Sequence, residues 1–130
     1  MNSLPKVNAP VEEVDRASAH VFPWGSIQWL ISDKRFDGCE LTLGHVEIEP
    51  GRKNVLHVHP NCDEALFLLE GELLHSVGDE KYTVLPGMAI FIPRNVPHDA
   101  VNVSDTRARM VVAYSSGDRR TVMLEEGEEA

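Results

Sequence analysis

The sequence predicts an all-β fold, an antiparallel β-barrel or jelly roll built as a single domain. From Ser26 onward, short segments rich in Val, Ile, Leu and aromatic residues alternate with Gly, Pro, Asn and Asp, a pattern typical of antiparallel strands and their turns. No helical pattern of about ten residues interrupts the series. A chain of 130 residues is long enough to bury one hydrophobic core and too short for two.

Nine segments have the composition of β-strands. Tight turns that need Gly or Pro separate several of them, at Pro50-Gly51, Glu70-Gly71, Gly78-Asp79 and Pro86-Gly87. Short strands in this number are typical of a barrel or a sandwich. The predicted strands are Ile27–Ile31, Leu41–Ile48, Val55–His59, Ala65–Leu69, Glu72–Val77, Tyr82–Leu85, Ala89–Ile92, His98–Val103 and Arg107–Tyr114.

The two ends of the chain differ from this central part in composition and periodicity. Residues 1–25 contain three prolines and little periodicity, so we predict an N-terminal arm that contributes to dimer contacts, followed by the barrel over residues 26–118. Residues 119–130 are predicted to be the end of the last strand and a solvated acidic tail. The one hint of a helix in the arm is a short face formed by Val11, Val14 and Ala17.

Charge and composition exclude several classes of partner. The net charge of −9 repels phosphate backbones and anionic lipids, so neither nucleic acid nor a membrane is the expected partner. The sequence has no apolar run long enough for a membrane span and no signal-peptide pattern near Met1, which predicts a cytoplasmic protein. In that setting Cys39 and Cys62 are expected to be free thiols.

Four residues have the spacing of a metal site. His57 and His59 lie two apart in a β-favouring segment, so their side chains leave the same face of the strand. Glu64 opens the next strand after a short loop, and a hairpin-like reversal brings its carboxylate beside the histidines. His98 follows 34 residues after Glu64 and starts a strand that can pass alongside. The four side chains are the predicted ligands.

The ligand chemistry narrows the choice of ion. Three imidazole nitrogens and one carboxylate oxygen suit one divalent transition metal ion, Fe, Mn, Zn, Ni, Co or Cu, and exclude a calcium-type oxygen cage. If the ion is octahedral, four protein ligands leave two positions for water, a substrate or dioxygen. The pattern therefore predicts an open site, where chemistry takes place, rather than a closed structural one.

Two stretches resemble the two motifs of the cupin superfamily. The first is Gly51, five residues, His57-Val58-His59, four residues, Glu64, six residues and Gly71. The second is Gly87, five residues, Pro93-Arg94-Asn95, two residues, His98, three residues and Asn102. The one departure is Asn95, where the family usually has Gly. Asn is the residue other than Gly that best tolerates a left-handed backbone, so the turn is expected to persist.

The resemblance implies an antiparallel barrel with the ion near its centre and a homodimer as a frequent assembly. It also implies a wide range of activities, which includes dioxygenases, decarboxylases, lyases, isomerases, epimerases and non-catalytic binders. The fold does not choose among them. All four ligand positions of the family pattern are intact in this chain, at His57, His59, Glu64 and His98.

Three further residues are candidates for roles near the site. His75 alternates with Leu73 and Val77, so it is a candidate acid–base catalyst if that face turns inward and a surface residue otherwise. His45 shares its face with Glu47 and is expected to face solvent. Cys62 lies between His59 and Glu64 and is expected to pack passively rather than to act near the metal.

We therefore predict a metal-dependent enzyme that acts on a small oxygenated organic molecule. An Fe or Mn oxygenase is preferred, because an imidazole-rich site with adjacent vacancies suits dioxygen and a chelating substrate together. The first alternative is a lyase, decarboxylase or isomerase, for which His75 would supply the acid or base. The second is a non-catalytic module that binds or senses a small molecule through its metal.

Overall fold

The computed structural model describes residues 9–126, which form eleven β-strands and one short 3-10 turn at Arg16–Ser18. In chain order the strands are β1 (His20–Phe22), β2 (Gly25–Ile31), β3 (Thr42–Ile48), β4 (His57–Val58), β5 (Glu64–Glu70), β6 (Leu73–Val77), β7 (Glu80–Val84), β8 (Ala89–Ile92), β9 (His98–Asn102), β10 (Ala108–Tyr114) and β11 (Val122–Met123). The predicted all-β fold is confirmed.

Two antiparallel sheets share one core. The larger sheet has the order β1-β2-β3-β10-β5-β8, and the smaller has the order β11-β4-β9-β6-β7. Every pair of neighbouring strands is antiparallel, the arrangement of a jelly roll. All nine predicted strands are present, with ends that differ by up to two residues. Strands β1 and β11 were not predicted, because segments of three and two residues carry too little periodicity.

Alternation of side chains builds the core between the sheets. Along β10, Ala108, Met110, Val112 and Tyr114 are buried, while the residues between them are partly exposed. Strand β5 follows the same rule with Leu66 and Leu68. Each fully buried aliphatic side chain contributes about 1.5–3 kcal/mol through the hydrophobic effect. The core is therefore made by aliphatic residues of both sheets, and the polar groups described below lie at one end of it.

The turn that carries the one departure from the cupin pattern has the predicted geometry. Asn95 has a φ of 63°, in the left-handed region that Asn tolerates better than other side chains. Its backbone N–H donates to the carbonyl of His59 at 2.9 Å. This bond joins the loop before β9 to the residue that follows β4. The expectation that Asn preserves this turn is confirmed.

The expected helical face of the N-terminal arm is wrong. The only helical structure in the described part of the arm is the 3-10 turn, which Asp15 caps by accepting a hydrogen bond from the backbone of Ala17. The chain becomes extended immediately afterwards and pairs with β2 as strand β1. Val11 and Val14 are 84% and 46% exposed, so they line no packed face. Backbone hydrogen bonds of Glu13 and Asp15 to the Gln28 side chain, followed by the pairing of β1 with β2, outweigh the weak helical periodicity of the segment.

The expectation that His45 faces solvent is also wrong. Its side chain lies on the outer face of the larger sheet, but His45 and Glu47 are each only 5% exposed. Neighbouring strands cover them, since Gln28 lies opposite His45 on β2 and Arg109 lies opposite Glu47 on β10. Arg16 of the arm completes the cover with an ion pair to Glu47 at 2.7 Å. The alternation of His45 with Glu47 predicted exposure to solvent, but ion pairs to Glu47 allow this face of the strand to be covered.

The remaining structural expectations concern the cysteines, the chain ends and membrane spans. Cys39 and Cys62 are free thiols, as expected. Residues 1–8 and 127–130, which include Glu128 and Glu129 of the predicted tail, lie outside the described residues. The boundaries assigned to the arm, the barrel and the tail stay predictions. None of the helical structure within residues 9–126 has the length and apolar character needed to cross a membrane.

Candidate metal centre

The smaller sheet holds two histidines side by side. Strands β4 and β9 pair with His57 directly opposite His98, and the centroids of the two rings lie 4.3 Å apart. His59 follows β4, with its ring centroid 4.8 Å from that of His57. All three side chains are at most 4% exposed. The two-residue spacing of His57 and His59 thus places both rings on the inner face, as the sequence predicted.

The larger sheet supplies the carboxylate. Glu64 is the first residue of β5 and lies opposite Tyr114 on β10 and Ile92 on β8. Its Oε1 lies 3.3 Å from Nε2 of His59 and 3.2 Å from Nε2 of His98. One nitrogen or oxygen from each of His57, His59, Glu64 and His98 lies within 4.8 Å of the others. The fold therefore brings together the four residues that the sequence singled out.

The backbone fixes the orientation of each ring. In all three histidines Nδ1 hydrogen-bonds to a backbone carbonyl, and because a carbonyl oxygen only accepts, Nδ1 must carry the hydrogen. Nε2 is then the atom with the free lone pair. Orientation of this kind is typical of histidines that bind metals. The carbonyls are those of Val55 for His57 at 2.6 Å, Arg120 for His59 at 2.8 Å and Val96 for His98 at 2.9 Å.

Three of the converging atoms lack hydrogen bonds. Nε2 of His59, Oε1 of Glu64 and Nε2 of His98 are buried and make none with any of the described residues, although the oxygen lies only 3.2–3.3 Å from each nitrogen. Buried polar atoms without partners are costly and need an explanation. A divalent transition metal ion satisfies all three at once, since imidazole nitrogen and carboxylate oxygen are its usual ligands. The residues present fit such an ion.

The charges of the site favour a cation. Burial, reinforced by His98, lowers the pKa of His57 to about 4, which keeps the ring neutral and its lone pair available. Burial opposes ionisation of Glu64, but His59 and His98 lower the pKa of this carboxyl well below its usual value. Burial likewise opposes protonation of His98, but Glu64 raises the pKa of His98. The buried carboxylate therefore attracts a positive charge, a proton or a metal ion.

His75 faces the interior, one of the two alternatives that the sequence left open. It is 1% exposed on β6, and its ring stacks on that of His98 with the centroids 6.1 Å apart and the planes 10° apart. Its Nδ1 donates to the backbone carbonyl of Ser76 at 2.9 Å. Burial lowers the pKa of His75, so its ring is held neutral beside the four-residue cluster.

A small cavity, here called the inner cavity, adjoins the cluster. Its volume is about 20 Å³, room for about one water molecule. His57, His59, Glu64 and His75 all border it. Most of its other walls are apolar and come from the larger sheet. They are Ile27, Trp29, Val46, Leu66, Met110, Val112 and Tyr114, with Asn54 and Arg119 as polar members.

Sequence reasoning missed three of these wall residues. Tyr114 lies opposite Glu64, and burial and that carboxylate raise the pKa of its hydroxyl well above the usual 10.0. Trp29 lies opposite Gly44, and this glycine makes the room that the large inward ring needs. No sequence pattern pointed to Arg119, because it lies in a loop after Tyr114, where the last of the nine predicted strands ends.

Cys62 has no contact with the cavity that would suggest chemistry. Its side chain is 0% exposed and belongs to the hydrophobic core. Burial, followed by the nearby charge of Glu64, raises the pKa of the Cys62 thiol. A thiol that is buried and protonated is a poor nucleophile. The expectation of passive packing agrees with this position.

Comparison with known proteins identifies the family. A family profile described as the cupin domain matches residues 44–114, more than half of the chain. The chain belongs to the cupin family. Among curated relatives of this cupin, an uncharacterised protein of Methanocaldococcus jannaschii is 28% identical over 76% of this chain and 80% of its own length. The tetracenomycin polyketide synthase protein TcmJ of Streptomyces glaucescens is 32% identical over 70% of this chain and 61% of its own length.

Solved structures with the same barrel include two oxalate enzymes. An oxalate oxidase in complex with glycolate aligns with a TM-score of 0.71 and 25% identity, over 77% of this cupin and 55% of that chain. An oxalate decarboxylase of Bacillus subtilis, studied for its Mn(II) centres, aligns with a TM-score of 0.77 and 19% identity. That alignment covers 82% of this cupin and 30% of the decarboxylase. The cupin thus spans only part of these larger chains.

Proposed function

We propose that this cupin is a metal-dependent enzyme that acts on a small oxygenated organic molecule. The observation that carries the proposal is the convergence of three buried, unpartnered atoms from His59, Glu64 and His98, with His57 beside them. Such an arrangement costs stability unless an ion is bound. These four residues would hold the ion, and the inner cavity beside them, with room for about one water molecule, lies where the reacting end of a substrate would approach.

An iron or manganese ion is the preferred occupant. Three imidazoles and a carboxylate suit either metal, and the Mn(II) centres named for the B. subtilis decarboxylase support manganese by analogy of fold alone. When bound, the ion would supply Lewis acidity or the capacity to activate dioxygen. An oxygenase is preferred because an imidazole-rich site with adjacent vacancies suits dioxygen and a chelating substrate together. The structural neighbours do not decide between the reaction types, since they include both an oxalate oxidase and oxalate decarboxylases.

The chain's own residues would prepare the reaction around the ion. The backbone carbonyls of Val55, Val96 and Arg120 hold the three rings with Nε2 directed inward. Apolar walls such as Leu66 and Met110 keep bulk water away, which strengthens every electrostatic interaction in the cavity. The substrate would therefore meet oriented ligands in a largely dry pocket.

A second candidate function is a lyase, decarboxylase or isomerase. The observation in its favour is His75, a neutral buried imidazole that borders the inner cavity. A neutral ring can accept a proton from a substrate and return it later, which such reactions require. An oxygenase whose substrate loses no proton needs no such group. His75 is proposed as the acid–base residue of this alternative.

Elemental analysis followed by turnover assays tests the proposal. Protein purified without chelators is expected to contain about one transition metal ion per chain, as a single His3Glu site requires. Iron- and manganese-loaded protein is then assayed for oxygen uptake and for release of carbon dioxide, with oxalate, glycolate, keto acids, diketones and catechols. His98→Ala serves as the metal-free control. Metal-loaded protein that binds these compounds but converts none would favour a sensing module, and protein that binds no metal would overturn the proposal. The predicted homodimer is tested separately by sedimentation.

A further inference from the structure

A second cavity lies outside the inner one. This outer cleft has a volume of about 330 Å³ and is lined in part by His20, Ser32, Lys34, Arg35 and Asp118. The volume is that of a small-molecule site, whereas the inner cavity has room for about one water molecule. Trp29 and Arg119 border both spaces. These two residues therefore form a shared wall between the outer cleft and the inner cavity.

Arg119 is held in this wall by defined contacts. The carbon of its guanidinium lies 3.9 Å from the centre of the Trp29 ring and 5.5 Å from that of Tyr114. Its Nη1 donates to Oγ1 of Thr121 at 2.6 Å. The preceding loop is packed in place, because a side chain on Gly117 would collide with the carbonyl oxygen of Cys39. Stacking on an aromatic ring orients a guanidinium while leaving its edges free to donate.

The hydrogen-bonding capacity of Arg119 is mostly unused. A guanidinium has five N–H donors, and one bond to Thr121 uses a single donor. Within residues 9–126 no carboxylate forms an ion pair with Arg119. The contrast with its neighbours is clear, since Arg35 in the same cleft is paired with Glu12 at 2.6 Å. A guanidinium with a free edge has the geometry to bind a carboxylate through two parallel N–H···O bonds.

Electrostatics favour an organic anion at this point. The chain as a whole carries a charge of −9 and repels anions at a distance, so a local cation decides what enters the cleft. Arg119 and the exposed Lys34 are positive, and Asp118 is the one carboxylate on the described wall of the cleft. On the inner side, Glu64 would be neutralised by the metal ion of the proposed function. An anion between Arg119 and that ion would be attracted from both sides.

We infer that Arg119 is the residue that selects the substrate, by binding the carboxylate of a small organic acid that enters through the outer cleft. The inference rests on the proposed function, which supplies the reacting centre behind the wall. Arg119 is a specificity-determining residue and not a metal ligand. Trp29 sets the plane of the guanidinium, and movement of the pair would join the two spaces. Neutral analogues of the same size are expected to bind poorly.

Trp29 fluorescence reports on this site directly. The chain has two tryptophans, so the variant Trp24→Phe leaves Trp29 as the single emitter, next to Arg119. Glycolate and oxalate are titrated into metal-free and manganese-loaded protein, with glycolamide and oxamide as neutral analogues. The acids are expected to produce a saturable change at concentrations at least about 10-fold lower than the amides.

Two substitutions at Arg119 and one matched control complete the experiment. Arg119→Gln should weaken the response to the acids by about 10- to 100-fold. The response of Arg119→Lys should lie between those of Arg119→Gln and the parent, because lysine keeps the charge but cannot form the two parallel hydrogen bonds of a guanidinium. Arg52→Gln removes the same charge at an exposed position outside both cavities, and should leave the response unchanged. Melting curves establish that each variant folds.

The outcomes separate this inference from the proposed function. Equal responses of the Arg119→Gln variant and its parent, or equal affinity for acids and amides, would overturn the assignment of Arg119 even if the protein holds its metal. Metal content measured on the same samples tests the proposed function alone, and Arg119→Gln should retain the full amount of metal. A response to acids that depends on Arg119 in metal-free protein supports the inference whatever the metal analysis shows.

Discussion

His57 and His98 lie directly opposite each other in the pairing of β4 and β9, with ring centroids 4.3 Å apart. A single backbone register thus places two of the four proposed ligands. Strand β4 has only two residues, so the register depends on few hydrogen bonds of its own. Much of the aliphatic core is made by residues that do not border the site, such as Leu68 and Ala108, so one of the histidines can be replaced without dismantling it.

Removal of one of these histidines should abolish metal binding and leave the fold intact. His57→Ala and His98→Ala are each expected to weaken metal binding by more than roughly 10- to 100-fold, the loss typical of replacing a residue that only hydrogen-bonds to a metal ligand. Parent protein should gain about 2.7 kcal/mol of stability at 100 times the dissociation constant of the metal, and the variants should gain none. Melting with and without manganese measures both effects, with the exposed His20→Ala as control. Unfolding of both variants at room temperature would contradict this expectation.

His75→Gln should distinguish the two candidate reactions. If His75 transfers a proton, turnover should fall by about 100- to 10,000-fold, while the metal content stays that of the parent, because His75 is not among the four converging residues. In an oxygenase without this proton transfer, turnover should change far less. Steady-state kinetics with parallel metal analysis give the answer. Turnover equal to that of the parent would remove His75 from the mechanism.

Acid should destabilise the protein partly through His45. Burial, with help from Arg109, lowers the pKa of His45 from 6.5, although Glu47 opposes the shift. The unfolded chain therefore binds this proton more readily, so the stability contributed by neutral His45 is present above pH 6.5 and is lost as pH falls below it. The loss from one such group is at most about 1.4 kcal/mol per pH unit.

The variant His45→Leu isolates this contribution. In the parent, Nε2 of His45 is buried without a hydrogen-bond partner within the described residues. An apolar side chain at this position therefore removes the titrating group without breaking a hydrogen bond of that atom. Urea unfolding between pH 8 and pH 5 should show the parent losing more stability than the variant. Parallel curves for the two proteins would show that His45 does not titrate in this range.

The left-handed turn at Asn95 allows a test of backbone strain. Its side chain is exposed and its φ is 63°, so substitution acts mainly through the backbone. Asn95→Gly should leave the stability nearly unchanged, whereas Asn95→Val should cost about 1–2 kcal/mol. Urea unfolding at one pH compares the three proteins. A valine variant as stable as the parent would show that the turn relaxes to another conformation.

The four converging residues could be found from the sequence because each signal was local. His57 and His59 follow from strand alternation, and Glu64 and His98 follow from turn residues that fix where a strand begins. The role of Trp29 in the wall could not be found in this way. It depends on the pairing of β2 with β3 at Gly44 and on the position of a loop some ninety residues further along the chain.

His45 shows the opposite failure. Its alternation with Glu47 was read correctly as the outer face of the sheet, but the outer face of this sheet is not open to solvent. Arg16 of the N-terminal arm forms an ion pair with Glu47. No pattern within β3 indicates a contact with a residue 29 positions away from His45. Periodicity identifies which side of a strand a residue occupies, and distant segments decide whether that side is covered.

The three carbonyls that orient the histidine rings have an evolutionary consequence. Because they belong to the main chain of Val55, Val96 and Arg120, no single change of side chain deletes any of these hydrogen bonds. Residues that border the cavity, such as Leu66 or Arg119, can therefore be exchanged while the rings keep their direction. A barrel built in this way can acquire new substrates by ordinary point mutation, with its reactive centre inherited unaltered.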